Sequence, residues 1–326
     1  MATIVIAFAM PPAERAVVSE VLGDAATPVY LTDLNDGDRA DALSNATAVL
    51  SWNTAKELRE SEAALLRGAR LLQFMTAGVD FIPLKNLPSA VMVAANGGAY
   101  AEQMAEHALA MTLAAAKRLL IEHAALVRGE FNQHKPNRLL AGGICGILGF
   151  GGIGVATARL MRGMGMRIHA INRRGASEEP TDWIGTTAAL DEFLGVADVL
   201  VIATPLTPQT LGMIGAPELG LMKPDAILVN LARGEIIDEA ALFAHLQTHP
   251  DFTACIDAWW VEPARHGKFR MDQPFLTLPN VVGSPHNSAS VRGTRGVGLR
   301  RAVTNIRRML DGETPRYLVG PDERMM

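Results

Sequence analysis

Short apolar runs recur along the chain, separated by stretches that carry either helical spacing or turn residues. Between Gly143 and His286 the runs are Ile144 to Leu148, Met166 to Ile171, Asp198 to Ala203, Ala226 to Asn230, Thr253 to Asp257 and Val281 to Ser284, which predicts six strands. Between the first two, Ile153, Ala156, Leu160, Met161 and Met164 fall at i, i+3, i+7, i+8 and i+11, the spacing of one buried helix face. Glu239 to Gln247 reads as another helix. Strands apolar on both faces and joined by helices predict an α/β doubly wound parallel sheet. Ahead of it, Ile4 to Phe8, Val29 to Leu31, Ala48 to Trp52, Leu71 to Met75 and Val91 to Ala95 predict a second, smaller α/β unit. An Ala/Leu/Met-rich stretch from Ala99 to Gly129 reads as one long helix that bridges the two, and Gly293 to Leu310 as a helix after the last strand. The chain carries no repeat, heptad or low-complexity linker.

Length and charge narrow the class. At roughly 150 residues per domain, 326 residues give two domains, each able to bury its own core. With 30 Lys and Arg against 34 Asp and Glu, the formal charge is −4 and no basic stripe offers itself to nucleic acid. A hydrophobic share of 49% against 20% charged excludes a disordered chain. The opening MATIVIAFAM lacks the basic flank and cleavage site of a signal peptide and reads as a buried strand. The most apolar helical segment, Leu109 to Ala116, meets Lys117 and Arg118 well before the ~20 residues that a membrane span needs. A cytoplasmic protein without a membrane partner is expected, with Cys145 and Cys255 as small core residues rather than a disulfide or a metal site.

Gly149, Gly151 and Gly154 spell GxGxxG directly after a predicted strand and at the start of a predicted helix, with Gly152 and Ile153 between them. The first glycine permits a tight turn, the second lets the backbone approach a pyrophosphate, and the third lets helix pack on strand, while the helix N-terminus offers free N–H groups to the anion. The next strand ends not in the carboxylate that would accept a ribose hydroxyl but in Asn172, Arg173 and Arg174, and Asn172 lies 18 residues after Gly154. Two guanidiniums suit a 2′-phosphate, so NADP(H) is the preferred cofactor, with NAD(H) possible.

Three further strand ends carry ionisable residues, in VNLARGEIIDEAAL, IDAWWVEP and SPHNSAS. Arg233 precedes Glu262 by 29 residues, and Glu262 precedes His286 by 24. Singly, each fits a structural role. Together with FMTAGVDFIP, NGGAYAEQMAEHALAMTLA, GILGFGGIG and DVLVIATPLTPQTLGMI, in this order, they resemble the D-isomer-specific 2-hydroxyacid dehydrogenases, a family that includes glyoxylate/hydroxypyruvate reductases and phosphoglycerate dehydrogenases. The resemblance covers nearly the whole chain.

It implies a Rossmann sheet, residues 99–287, inserted into a smaller flavodoxin-like substrate domain made of residues 1–98 and 288–326, with the active site in the cleft between them and a hinge at the two crossings. It implies that Arg233 binds the 2-oxoacid carboxylate and polarises the carbonyl, that His286 is the acid in reduction and the base in oxidation, and that Glu262 raises the pKa of His286. Ala77, Gly78 and Val79 would present backbone N–H groups to the substrate, with Trp52 beside its side chain. Thr204, Pro205, Leu231, Ala232 and Asp257 would line the cofactor, Asp257 near the nicotinamide. No metal is implied. A homodimer through the Rossmann-domain arm is expected, with Phe131 where the family has a tryptophan. Glu262 in place of glutamine makes formate a poor substrate, the end at Met326 leaves no regulatory extension, and the Trp259–Trp260 pair is read as packing. The activity expected is NADPH-dependent reduction of a small 2-oxoacid to a D-2-hydroxyacid; the alternative is a dinucleotide-sensing corepressor of the same fold without significant turnover.

Overall fold

The computed structural model describes residues 1–325, which divide into two compact units: residues 1–100 with 292–325, and Ala101–Val291. The chain therefore leaves the first unit once and returns to it, a few residues from the expected boundaries at 98/99 and 287/288.

The first unit is built on five strands: β1 (Ala2–Ile6), β2 (Ala26–Tyr30), β3 (Ala48–Ser51), β4 (Leu71–Phe74) and β5 (Met92–Ala94). All pair in parallel in the order β2-β1-β3-β4-β5, the flavodoxin-like order. Successive side chains face opposite ways, so Ile4, Ile6 and Leu50 enter one core while Val5, Ala7 and Val49 enter the other. The first core is closed by the returning helix Thr294–Leu310, whose Leu299, Ala302, Val303, Ile306 and Met309 are all buried in it.

The second unit carries β6 (Ile144–Leu148), β7 (Arg167–Ile171), β8 (Trp183–Gly185), β9 (Val199–Ile202), β10 (Ile227–Asn230), β11 (Thr253–Ile256) and β12 (Val281–Gly283). They form one parallel sheet in the order β12-β11-β10-β9-β6-β7-β8. This is the Rossmann order with one strand added, and the winding reverses between β6 and β9, where such sheets bind ligands at their carboxyl ends. β6, β9 and β10 are buried along their whole length, as parallel strands covered on both faces must be.

Three local expectations are corrected. β8 is a seventh strand that the apolar runs do not mark; its three residues are all half-buried at the sheet edge. The stretch Ala99 to Gly129 is two helices, Ala101–Ala116 and Leu119–Val127, broken at Arg118, whose φ of 53° is left-handed. The break is held from outside: the Arg138 amide donates to the Ala116 carbonyl at 2.9 Å and Lys117 Nζ to the Arg138 carbonyl at 2.7 Å. In the helix Gly152–Gly163, Ala156 and Met161 are buried as expected, but Met164 lies past its end and is exposed, and Gly154, Thr157 and Ala158 fill the core instead. Small residues serve there because Ala101 and Ala105 of the neighbouring helix pack directly on Ala156. Among the described residues no helix is long and apolar enough to cross a membrane.

Candidate active site

The glycine turn sits at the sheet's reversal. Gly149 has φ 104°, and a β-carbon there would stand 2.4 Å from the Thr204 amide nitrogen, so only glycine lets the end of β6 pass the end of β9. A β-carbon on Gly154 would stand 2.3 Å from the Gly149 carbonyl. Gly151 differs: it caps the helix, and a β-carbon on it would meet nothing within 4 Å. Two glycines are thus demanded by the fold and one by nothing within it. Gly152 and Ile153, in the first helical turn, are half-buried. Thr204 and Ala232 are half-buried, Pro205 is exposed and Leu231 is buried, leaving that residue only its backbone to offer.

Past β7, Asn172 closes a turn: its Oδ1 accepts from the Arg174 amide at 2.9 Å and its Nδ2 donates to the Ala176 carbonyl at 2.9 Å. Arg173 and Arg174 are exposed on that turn.

Arg233, Glu262 and His286 follow β10, β11 and β12. Buried Asn230 shapes the first segment, its Nδ2 donating to the Arg233 carbonyl at 2.8 Å and its Oδ1 accepting from the Ala232 amide at 3.1 Å. Arg233 Nη1 donates to the Ala232 carbonyl at 2.7 Å. A β-carbon on Gly234 would stand 2.5 Å from the backbone of Trp259 and Trp260, so this glycine lets the Arg233 turn lie against the next segment. Asn230 and Gly234 are site-shaping residues that sequence reasoning missed, although both stand inside the quoted VNLARG motif.

Glu262 is only 4% exposed, and its Oε1 accepts from His286 Nδ1 at 2.7 Å and from the Trp259 amide at 2.7 Å. Burial pushes its carboxyl upward, but the His286 hydrogen bond and charge, the Trp259 amide and the Arg233 charge outweigh burial and hold it below the usual carboxylate value. Since Nδ1 donates to the carboxylate, the network assigns neutral His286 the tautomer with hydrogen on Nδ1 and a lone pair on Nε2. The imidazole is about one-third exposed (32%). Its backbone has φ 49°, a left-handed conformation in which histidine is over-represented among non-glycine residues.

Asp257, expected beside the nicotinamide, has no solvent exposure and turns its carboxylate onto the histidine loop. Oδ1 accepts from Ser284 Oγ at 2.5 Å and from the Asn287 amide at 3.1 Å, and Oδ2 from the Ser288 amide at 3.3 Å. The two tryptophans pack: Trp259 Nε1 donates to the Ser284 carbonyl at 2.8 Å, and Trp260 Nε1 to the Ile237 carbonyl at 2.7 Å while its ring stacks on Phe275. Both cysteines are free and buried, and burial pushes the Cys145 thiol up to about 12, as an inert core thiol requires.

The substrate-side candidates belong to the first unit. Ala77, Gly78 and Val79 are half-buried in the loop after β4. Trp52, after β3, packs edge-on to Phe8 with ring centroids 6.0 Å apart and carries the Arg295 guanidinium 5.7 Å from its ring.

Residues 109–288 match the family model described as D-isomer specific 2-hydroxyacid dehydrogenase, NAD binding domain. Over 233 residues the chain is 35% identical to glyoxylate/hydroxypyruvate reductase B of Enterobacter agglomerans, with 68% of each chain aligned. The chain belongs to the D-isomer specific 2-hydroxyacid dehydrogenases. As a member of that family it is an NAD(P)-dependent oxidoreductase acting between 2-oxoacids and 2-hydroxyacids. It is also 30% identical over 256 residues to D-3-phosphoglycerate dehydrogenase of Methanocaldococcus jannaschii, spanning 76% of this chain but 48% of that one. Among solved structures, a glycerate dehydrogenase related protein from Thermoplasma acidophilum superposes with a TM-score of 0.64 at 28% identity, over 94% of this chain and 99% of its own.

Proposed function

We propose that this dehydrogenase reduces a small 2-oxoacid to the D-2-hydroxyacid with NADPH, and runs the reverse oxidation. The observation that carries the reading is the 2.7 Å bond from His286 Nδ1 to buried Glu262, a carboxylate that also feels the Arg233 charge; it leaves Nε2 as the atom to carry a proton to substrate. The glycine turn fits a dinucleotide, because the space open at Gly151 lies at the N-terminus of the helix Gly152–Gly163, whose free amides favour a pyrophosphate. When bound, a reduced nicotinamide supplies the hydride. Arg233 holds the substrate carboxylate and stabilises charge developing on the carbonyl oxygen. His286 Nε2 delivers the proton to that oxygen, and Glu262 balances the imidazolium that precedes delivery. Ala77, Gly78 and Val79 offer amides to the same carboxylate, Trp52 borders the substrate side chain, and Thr204, Pro205, Leu231, Ala232 and Asp257 border the cofactor; these roles rest on the motif resemblance.

The preference for NADP(H) rests on exposed Arg173 and Arg174 and on the lack of a carboxylate at Asn172, whose amide is spent on its own turn. The homodimer forms through the segment 119–139, where Leu119, Leu120, Leu126, Val127, Phe131 and Leu139 are each more than half exposed, an apolar surface that a second copy would cover. A reducing cytoplasm is the setting in which Cys145 and Cys255 remain free thiols. The test is reduced-nicotinamide absorbance with a panel of 2-oxoacids and both cofactors, alongside light scattering. Turnover with higher kcat/KM for NADPH and a dimer mass are expected; preference for NADH, a monomer mass, or binding of nicotinamide without turnover of any 2-oxoacid each overturns the corresponding part, the last in favour of a dinucleotide sensor.

A further inference from the structure

The left-handed backbone of His286 is held by a chain of side chains that begins far from it in sequence. His107, on the helix Ala101–Ala116, places Nε2 3.0 Å from Ser284 Oγ. Ser284 Oγ in turn lies 2.5 Å from Asp257 Oδ1, and His107 Nε2 stands 3.7 Å from the same oxygen. The two oxygens of Asp257 receive the amides of Asn287 and Ser288, the residues directly after His286. Ser284 has one hydroxyl hydrogen, and its shortest contact, Asp257, takes it; Met111 Sδ, at 3.9 Å, is the other acceptor in reach. The lone pair facing His107 therefore needs a donor, which assigns His107 the tautomer with hydrogen on Nε2. Trp259 Nε1, bonded to the Ser284 carbonyl, anchors the other side of the same residue.

We propose that His107 is a positioning residue for the proton-carrying His286, acting through Ser284 and Asp257. The inference rests on the reading of His286 given above and adds a residue to it. The donor on His107 fixes the Ser284 hydroxyl, the fixed hydroxyl and the two loop amides fix the Asp257 carboxylate, and the carboxylate holds 287–288 so that residue 286 stays left-handed with Nδ1 on Glu262. Without the donor, the serine oxygen keeps only its bond to Asp257, and the loop loses one of its restraints.

The test compares His107→Leu, His107→Gln and Ser284→Ala in the full chain. Hydrogen exchange of the Asn287 and Ser288 amides is read first, because it needs no turnover. Exchange about tenfold faster in His107→Leu and Ser284→Ala is expected, with wild-type rates restored in His107→Gln, whose amide keeps an N–H for the serine. Where the 2-oxoacid panel gives turnover, kcat should fall roughly 10- to 100-fold in the first two variants, the scale of misplacing a reacting group by less than about 1 Å, with KM for the reduced cofactor unchanged. Wild-type exchange in both variants overturns the proposal, and so does faster exchange with unchanged kcat or failure of glutamine to rescue. A wild-type protein that turns over no 2-oxoacid overturns the functional reading instead, and the exchange arm still decides the placement of His286. Should His107→Leu fail to fold, Ser284→Ala carries the same measurement, since alanine removes the hydroxyl alone.

Discussion

The glycine turn after β6 and the histidine loop after β12 belong to the same unit and the same sheet, yet they are built in opposite ways. The turn is defined by atoms that are missing: β-carbons at 149 and 154 would stand 2.4 and 2.3 Å from backbone atoms. The loop is defined by bonds that are present, to Asp257, Trp259 and Glu262, which are 30, 25 and 24 residues away from their partners. A turn made by exclusion fails when an atom is added, and a loop made by bonding fails when one is removed.

The largest expected effect comes from removal. His286→Ala should lower kcat by about 10²- to 10⁴-fold, the contribution of a general acid, while the dissociation constant for NADPH stays within about twofold. Near-wild-type turnover in steady-state assays would sink the assignment. Glu262→Gln keeps shape and removes charge, and kcat should drop by roughly 10²-fold, as when one preorganised electrostatic partner is lost. This variant also carries a pH signature. Because the folded carboxyl titrates below its ordinary 4.5, Glu262 contributes stability above that value and loses it as pH falls through the folded pKa. The difference in thermal midpoint between wild type and Glu262→Gln should therefore narrow below about pH 4.5, and a difference that ignores pH breaks the argument.

Additions to the turn rank next, and they divide. Gly154→Ala forces a carbon onto the Gly149 carbonyl and should destabilise the unit by about 1–3 kcal/mol in denaturant unfolding. Gly151→Ala meets no protein atom, so its unfolding midpoint should match wild type while the NADPH dissociation constant, read by calorimetry, rises about tenfold. Equal behaviour of the two variants would erase the distinction between glycines kept for folding and a glycine kept for a ligand. The smallest effect lies outside both regions. His245 stacks on His249 with ring centroids 4.0 Å apart, and burial first, then the His249 imidazole, push it down to about 4. The unfolded chain, titrating at 6.5, binds this proton more readily, so stability falls as pH drops from 6.5 toward 4. His245→Phe should flatten that slope without altering kcat.

Most strands were legible because their signal is local. The runs at 144–148 and 199–202 are apolar on every residue but glycine and stand between turn signals. β8 was not legible. Trp183, Ile184 and Gly185 make too short a run, and what selects a strand there is tertiary: the Asp182 amide donates to the Ile168 carbonyl at 2.8 Å, the Ile168 amide donates to the Asp182 carboxylate at 2.7 Å, and Trp183 stacks on Phe193 and lies tilted against His169. The break at Arg118 was hidden for the same reason, since Lys117, Arg118 and Leu119 are all good helix formers and the turn is imposed by Arg138. In the site, residue types were legible and their partners were not: Asp257 reads as a candidate from its motif, but the motif cannot say which way the carboxylate faces.

The sequence by itself determined the doubly wound sheets, the glycine turn and the three segments that hold Arg233, Glu262 and His286, because periodicity and the missing β-carbon act on neighbours in the chain. Only the tertiary structure decided that Asp257 turns inward to hold the histidine loop, that Gly234 and Asn230 shape the arginine turn, and that His107 reaches Ser284 across 177 residues. Hydrogen bonds between side chains of distant strands depend on how the strand ends are brought together, and the sheet that brings them together exists only once the chain has folded.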